Sequence, residues 1–361
     1  MAPLQRSKGA DEDARRKIRY QIMEVVPSIP SVDLSPFFVE EGVIVGAAPT
    51  PGQIECGKVI DAACREHGFL HATGFGLSKE LSERVFSASK ELFQSTDKGS
   101  LSPWHASHNM GYIPMRTESH NPSRPPEMKE AFNVQFPPAH TNDFRGTPAT
   151  FANAAQELQS VIRLASKRYA IACALALGLP IDMFEKTLCD FDLCTLKYLH
   201  YPPCRFEETG IETDKPIRIG EHTDFGAFTF LLLGENGADG LQIKPVAMGA
   251  VGGDAGGEQD GWLDVDVPPG GAIINTGALM ARWTNDEWRA TAHRVIVPSV
   301  EAASRHRYSI ACFVDPDSTA MVTVHDKFVT ADKPCLYKPI SGLAFLKMKL
   351  AEVENPKKSV I

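Results

Sequence analysis

GEHTDFGAFTFLLL, residues 220–233, joins a His-x-Asp triplet to the apolar run FTFLLL, which is of strand length and lies between Gly226 and Gly234. Aromatic and aliphatic residues in so short a run between glycines predict a buried β-strand, since a helix needs ten or more residues to hold together. The same texture recurs on both sides of it. TLKYLHY (195–201) precedes it, and LQIKPV (241–246), WLDVDV (262–267), AIINT (272–276), HRVIVP (293–298), RYSIACFV (307–314) and MVTVH (321–325) follow. Many short strands punctuated by Gly and Pro predict a sandwich or barrel. The stretch MGAVGGDAGGEQDG (248–261) separates two of these strands and reads as a flexible hairpin extension, where added length costs little.

Upstream the periodicity is helical. Residues 1–28 form a polar arm, and IPSVDLSPF (29–37) reads as a short strand entering a Pro-containing turn. Ile54, Val59, Ile60, Ala63 and Cys64 make a helical stripe over 53–66, and Leu81, Val85, Phe86 and Leu92 make a second over 78–93, with Ser78 as its N-cap. GFLHATGFG (68–76) between them reads as a strand and turn. The stretch 101–148, rich in Pro, His and Asn, predicts a long loop region of the kind that lines a site. Pro148 opens the longest helical pattern, to about Gly178, and SGLAFLKMKLAEVE (341–354) is a last helix before the basic tail NPKKSVI. The chain therefore divides into an arm (1–28), an N-terminal region (29–148), a long supporting helix (149–192), a β core (193–330) and a C-terminal helix with tail (331–361).

Composition narrows the function. With 361 residues, 43% hydrophobic and 23% charged, the chain can bury a large core. Its 37 basic against 45 acidic residues leave a net charge of −8, which disfavours nucleic acid or an anionic membrane as partner. No apolar run approaches the ~18 residues needed to cross a bilayer. The N-terminus has mixed charge and no apolar segment of signal type, and the eight cysteines form no CxxC pair, so a cytoplasmic protein is expected; a monomer is expected as well. HExxH, GxSxG and GxGxxG are all absent, which removes support for a zinc peptidase, a serine hydrolase and a dinucleotide enzyme.

His222 and Asp224, at i and i+2, would share one face of a strand and could reach one ion together. Alone, the pair is better read as an ordinary hydrogen-bonded surface pair. His293, in TAHRVIVP, is a third candidate ligand, or else a core histidine satisfied by backbone. Two His and one carboxylate on one face of a six-coordinate ion leave open positions, the arrangement of non-heme Fe(II) oxygenases. Arg307 and Ser309 share a strand face too, and a planar guanidinium beside a hydroxyl grips a carboxylate; the alternative is a structural Arg paired with an acidic loop. The short connection SVEAASRH (299–306) predicts that the His293 and Arg307 strands are neighbours. His105 and His108, in WHASH, have no third ligand nearby and read as pocket-entrance residues, while Trp262, Trp283 and Trp288 read as core or strand-pair aromatics.

With these residues in order, the sequence resembles the isopenicillin-N-synthase-like branch of the 2-oxoglutarate and Fe(II)-dependent oxygenases, from IPSVDLSPF to the last helix. The signature H-x-D…H…R-x-S is met by His222, Asp224, His293, Arg307 and Ser309. The flanks HTDFGAFTFLLL, GLQI, NTGALMARWTND and RYSIACFVDPD agree, as do ACREHGFLHATGFGLS, the GY of MGYIP and KEAFNV (129–134) upstream. The resemblance implies a mixed α/β protein with a mainly β core, a double-stranded β-helix (jelly roll) with an N-terminal helical region and a C-terminal helix. On that reading 29–148 is the N-terminal dioxygenase region and 193–330 the Fe(II)/2-oxoglutarate core.

The resemblance also implies the chemistry. His222, Asp224 and His293 would hold Fe(II) at one mouth of the barrel; Arg307 and Ser309 would bind the far carboxylate of 2-oxoglutarate, with Tyr201 of LHYPP in support. With O2, 2-oxoglutarate would give succinate and CO2 while an unactivated C–H bond of a small-molecule metabolite is hydroxylated, desaturated or closed into a ring, as in secondary-metabolism biosynthesis, with ascorbate as a supporting reductant. Leu199 stands where many members have an Asn, and Ala278 where an Asp usually follows the N-x-G turn. The alternative is an oxidase of isopenicillin-N-synthase type that uses no 2-oxoglutarate, with Arg307 and Ser309 on the substrate's own carboxylate. A binding module without turnover is disfavoured by the complete ligand set. Lys197, Asn133, Arg116, Phe228, Phe230 and Phe313 are the expected substrate contacts, and these cations, with Arg124, would suit a carboxylated substrate.

Overall fold

The computed structural model describes residues 28–38, 48–95, 97–105, 107–118, 126–204, 217–234, 237–244, 261–268 and 270–354. The polar arm apart from Ser28, the basic tail, Arg124 and all but the last residue of the Gly-rich stretch lie outside the described residues. Three helices come from the N-terminal half: α1 (Pro51–Glu66), α2 (Lys79–Ser95) and α3 (Ala149–Ala176). Local chemistry explains where they start. Thr50 and Gln53 close a reciprocal capping box with Pro51 in the first turn. Ser78 Oγ accepts from the Leu81 amide at 3.1 Å.

Strands β1 (Ser31–Asp33), β2 (Phe69–Thr73), β3 (Gly111–Ile113), β4 (Glu130–Gln135), β5 (Thr195–Tyr201), β7 (Phe228–Leu233), β10 (Ala272–Thr276) and β12 (Arg307–Val314) form one eight-stranded sheet in the order β1-β2-β10-β7-β12-β5-β4-β3. Strands β6 (Ile217–His222), β8 (Leu241–Ile243), β9 (Leu263–Asp264) and β11 (His293–Ile296) form a second sheet in the order β6-β11-β8-β9. Two jelly-roll sheets enclose one core, the double-stranded β-helix. Apart from the parallel β1/β2 pair, every pairing in these sheets is antiparallel.

Alternation along the strands of the large sheet decides what each face meets. Phe228 and Phe230 point outward, where the Tyr169 ring of α3 meets them edge-on at 5.0 and 5.7 Å. Thr229 and Leu231 of the same strand point inward. Phe228 and Phe230 therefore belong to the helix-facing core and are not pocket residues, contrary to expectation. Ile273 on the inner face packs with Leu241, Ile243 and Val295 of the small sheet.

Three other expectations change. The 101–148 stretch is not all loop, for β3 and β4 extend the large sheet beyond β5. WLDVDV and MVTVH contribute only two strand residues each, the latter as β13 (Met321–Val322), which pairs in a separate ribbon with β14 (Ile340–Ser341). The His293 and Arg307 strands are not paired: β11 pairs with β6 and β8, β12 with β5 and β7. The connection between them, 297–306, crosses from the small sheet to the large one and contains a short helix, α5 (Val300–Ala303). The remaining helices are α4 (Ala278–Trp283) and the C-terminal α6 (Gly342–Glu354). No helix among the described residues is long and apolar enough to cross a membrane.

Candidate metal and cosubstrate site

A cavity lies between the sheets, about 640 Å³ with the open solvent at its mouth included. His222, Asp224 and His293 meet there, each offering one ligand atom within 4.8 Å of the others. The two histidines face each other across the β6/β11 pairing, His293 opposite His222, with ring centroids 4.2 Å apart. Asp224 lies two residues past the end of β6, so it reaches the site from a loop and not from a shared strand face. Its Oδ1 stands 3.8 Å from the Nε2 of each histidine.

Each ligand is oriented by a second contact. His222 Nδ1 donates to the Gly220 carbonyl at 2.8 Å and His293 Nδ1 to the Thr291 carbonyl at 3.2 Å, which leaves the Nε2 lone pairs for a metal. Asp224 Oδ2 accepts from Thr229 Oγ1 and Asn275 Nδ2, both at 2.6 Å, leaving Oδ1 toward the histidines. Burial opposes ionisation of Asp224, but His293, His222 and the bonds from Asn275 and Thr229 outweigh it and hold the carboxyl below its ordinary value. The Asp224 loop is pinned from behind: a Cβ at Gly277 would come within 2.1 Å of the Gly226 carbonyl, so the chain there needs glycine. Two imidazole nitrogens and one carboxylate oxygen on one side of a point suit a divalent transition ion with open positions, and the residues fit Fe(II).

Deeper in the cavity, β5 and β12 place Tyr201 opposite Arg307 and Leu199 opposite Ser309. Arg307 is buried, donates to Ser309 Oγ and to the Asp239 carbonyl, both at 3.3 Å, and lies 5.3 Å from the centre of the Tyr201 ring. Among the described residues no carboxylate forms an ion pair with it, and burial pushes its guanidinium down. The Tyr201 hydroxyl is buried without a hydrogen-bond partner. An unpaired buried cation and an orphaned hydroxyl facing one cavity are costly unless an anion completes them. Leu199, Leu231, Ile219, Leu241, Val295 and Phe69 supply apolar wall between this end and the metal ligands.

Residues 191–316 match the 2OG-Fe(II) oxygenase superfamily, and residues 29–155 match the family described as non-haem dioxygenase in morphine synthesis N-terminal. The chain is 30% identical over 302 residues to the 2-oxoglutarate-Fe(II) type oxidoreductase hxnY of Emericella nidulans, covering 79% of this chain and 78% of that one. The chain belongs to the 2OG-Fe(II) oxygenase superfamily. This oxygenase is also 25% identical to the validamycin A dioxygenase of Streptomyces hygroscopicus, over 81% of its own length and 78% of the relative's. Among solved structures it is similar to a full-length Neurospora crassa protein in complex with alpha-KG and 5-formyluracil, with 25% identity, a TM-score of 0.71, and coverage of 90% of this chain and 96% of that one. It is thus an oxidoreductase, a 2-oxoglutarate- and Fe(II)-dependent dioxygenase with O2 as cosubstrate.

The other expected contacts of the oxygenase fall unevenly. Lys197 and Phe313 line the cavity. Lys197 is not a free cation, because Glu118 takes its ammonium at 2.5 and 2.7 Å. Arg116 is exposed in a turn at φ 60° and does not line the cavity, though its amide donates to the Lys129 carbonyl, and Asn133 donates to Asn109 Oδ1 at 2.8 Å. Of the cations expected to suit a carboxylated substrate, Lys197 is thus paired with Glu118, Arg116 is exposed, and Arg124 lies outside the described residues. His105 and His108 join no metal cluster among the described residues. Sequence reasoning missed Lys129, which lines the cavity and pairs with Glu127 and Glu118, together with Thr229, Asn275 and Phe69. Lys129 opens the KEAFNV stretch, and its place immediately before β4 was the available signal.

Proposed function

We propose that the protein couples oxidative decarboxylation of 2-oxoglutarate to oxidation of an unactivated C–H bond in a small-molecule metabolite, by hydroxylation, desaturation or ring closure. The observation that carries this is the anion-seeking end of the cavity, Arg307, Ser309 and the unpartnered Tyr201 hydroxyl, in the same enclosure as His222, Asp224 and His293. The similar N. crassa structure, solved with alpha-KG, supports the same reading.

His222, Asp224 and His293 would hold Fe(II), which when bound supplies the redox chemistry that activates O2. Arg307 and Ser309 bind the distal carboxylate of the cosubstrate by charge-assisted hydrogen bonds, and Tyr201 donates a further one. The backbone carbonyls of Gly220 and Thr291 keep the protons on Nδ1 of the two histidines, and Thr229 with Asn275 fixes the free oxygen of Asp224. The apolar wall excludes water from the reacting centre. Lys197, Lys129 and Phe313 border the cavity where a substrate enters.

The test is O2 uptake with and without 2-oxoglutarate, with succinate measured. Uptake is expected to require 2-oxoglutarate and to yield one succinate per O2. Full uptake without it would transfer Arg307 and Ser309 to the substrate's carboxylate and make the protein an oxidase of isopenicillin-N-synthase type.

A further inference from the structure

Arg218, the second residue of β6, is 5% exposed, yet no carboxylate among the described residues forms an ion pair with it. Its Nη2 donates to the Ala302 carbonyl at 2.9 Å, and its guanidinium lies 5.8 Å from the centre of the Tyr201 ring. Arg307 lies 5.3 Å from that same ring centre. One phenol thus carries two buried guanidinium groups, one from each sheet, and its hydroxyl is the orphan. Lys129 approaches from the third side: Glu130 pairs with His200, so the next residue back falls opposite Tyr201, and Lys129 lines the cavity there. Its charge is already matched by Glu127 and Glu118. Among the described residues Arg218 has no such carboxylate pair: the Cys204 thiol is its nearest side-chain hydrogen-bond partner, and Asp239 acts on it only from a distance. A protein seldom buries a second unpaired cation beside the first without an anion to share.

We infer that Arg218 is a positioning residue for the cosubstrate: it holds Tyr201 and adds the second buried cation that makes this end of the cavity select a dicarboxylate over a monocarboxylate 2-oxo acid. The inference rests on the reading that Arg307, Ser309 and Tyr201 take the distal carboxylate. Arg218 does not line the cavity, so it acts through Tyr201 and through its field. Stacking fixes the ring plane and hence the direction of the hydroxyl, while the charge favours the doubly charged ligand.

The experiment is anaerobic calorimetry on the Fe(II)-loaded full chain with two probes, 2-oxoglutarate and 2-oxopentanoate, which has a methyl group in place of the distal carboxylate. Wild type is expected to prefer 2-oxoglutarate strongly. Arg218→Met should weaken 2-oxoglutarate binding by about tenfold or more, leave 2-oxopentanoate binding unchanged, and be partly rescued by Arg218→Lys. The Arg218→Met and Tyr201→Phe losses should add only in part, since Arg218 acts through that hydroxyl as well as through its field. Unchanged 2-oxoglutarate affinity, or equal weakening of both acids, overturns the inference. A wild type with no preference between the acids would instead overturn the reading of the carboxylate site. Where the Met variant does not fold, Arg218→Gln carries the same expectations.

Discussion

At Asp224 the two carboxylate oxygens have different tasks: Oδ2 is fixed by Thr229 and Asn275, and Oδ1 faces both histidines. Removing a ligand and removing a partner of a ligand should therefore differ in degree. His222→Ala is expected to abolish Fe(II) binding and turnover. Asn275→Ala leaves all three ligands but frees the carboxylate to turn, and should weaken Fe(II) binding by roughly 10- to 100-fold, with activity recovered at high iron. Anaerobic Fe(II) titration of both variants checks this, and an Asn275→Ala titration identical to wild type would remove the orienting role. Asp317 shows a carboxylate used for structure. It accepts from the amides of Cys189, Asp190 and Phe191 at 2.7 to 3.2 Å, tying the turn before β5 to the chain after β12. Asp317→Ala should cost about 3 kcal/mol in urea unfolding without changing affinity for iron.

At the scale of elements, β7 sorts its side chains by parity. Phe230→Ala should cost about 3–5 kcal/mol of stability through the cavity it leaves against α3, whereas Leu231→Ala should change cosubstrate affinity more than the denaturation midpoint. Urea melts and 2-oxoglutarate titrations of the two variants separate these outcomes. The same strand shows what was legible in the sequence. FTFLLL is readable as a buried strand from its composition, but being apolar on both faces it gives almost no sign of which face looks inward; Thr229 is the sole polar residue, and its partner Asp224 is visible only in three dimensions. His-x-Asp and Arg-x-Ser are legible because each pair is local in sequence. Glu118 pairs with both Lys129 and Lys197, and Asn275 meets Asp224 from 51 positions away, so no local pattern reports them. The pairing of β11 is hidden for another reason: β11 and β12 lie in different sheets, and nothing in the residue types of the ten-residue connection 297–306 marks a change of sheet.

Over the whole molecule, a second polar cluster lies on the helix side of the large sheet. Glu130 accepts from Tyr112 Oη at 2.5 Å and His200 Nδ1 at 2.7 Å, with Lys98 Nζ at 3.5 Å. Burial raises this carboxyl, but the bonds from His200 and Tyr112 and the charge of Lys98 more than offset it, and the net shift is downward. A carboxyl lowered in the fold contributes stability that is complete above its unfolded value, about 4.3, and is lost as pH falls through its folded value. Glu130→Gln should therefore be less stable than wild type at pH 7, with the gap closing below about pH 4; thermal melts at both pH values test it, and a constant gap would refute it. The metal centre has a mechanical side as well. His222 and His293 belong to the small sheet, while Thr229 and Asn275 bind Asp224 to the large one. An ion held by all three ligands acts as a rivet between two plates. At a hundred times its dissociation constant it should add about 2.7 kcal/mol and slow amide exchange in β6 and β11 before β5 and β12. Iron starvation would then leave the protein loosened along its seam as well as idle.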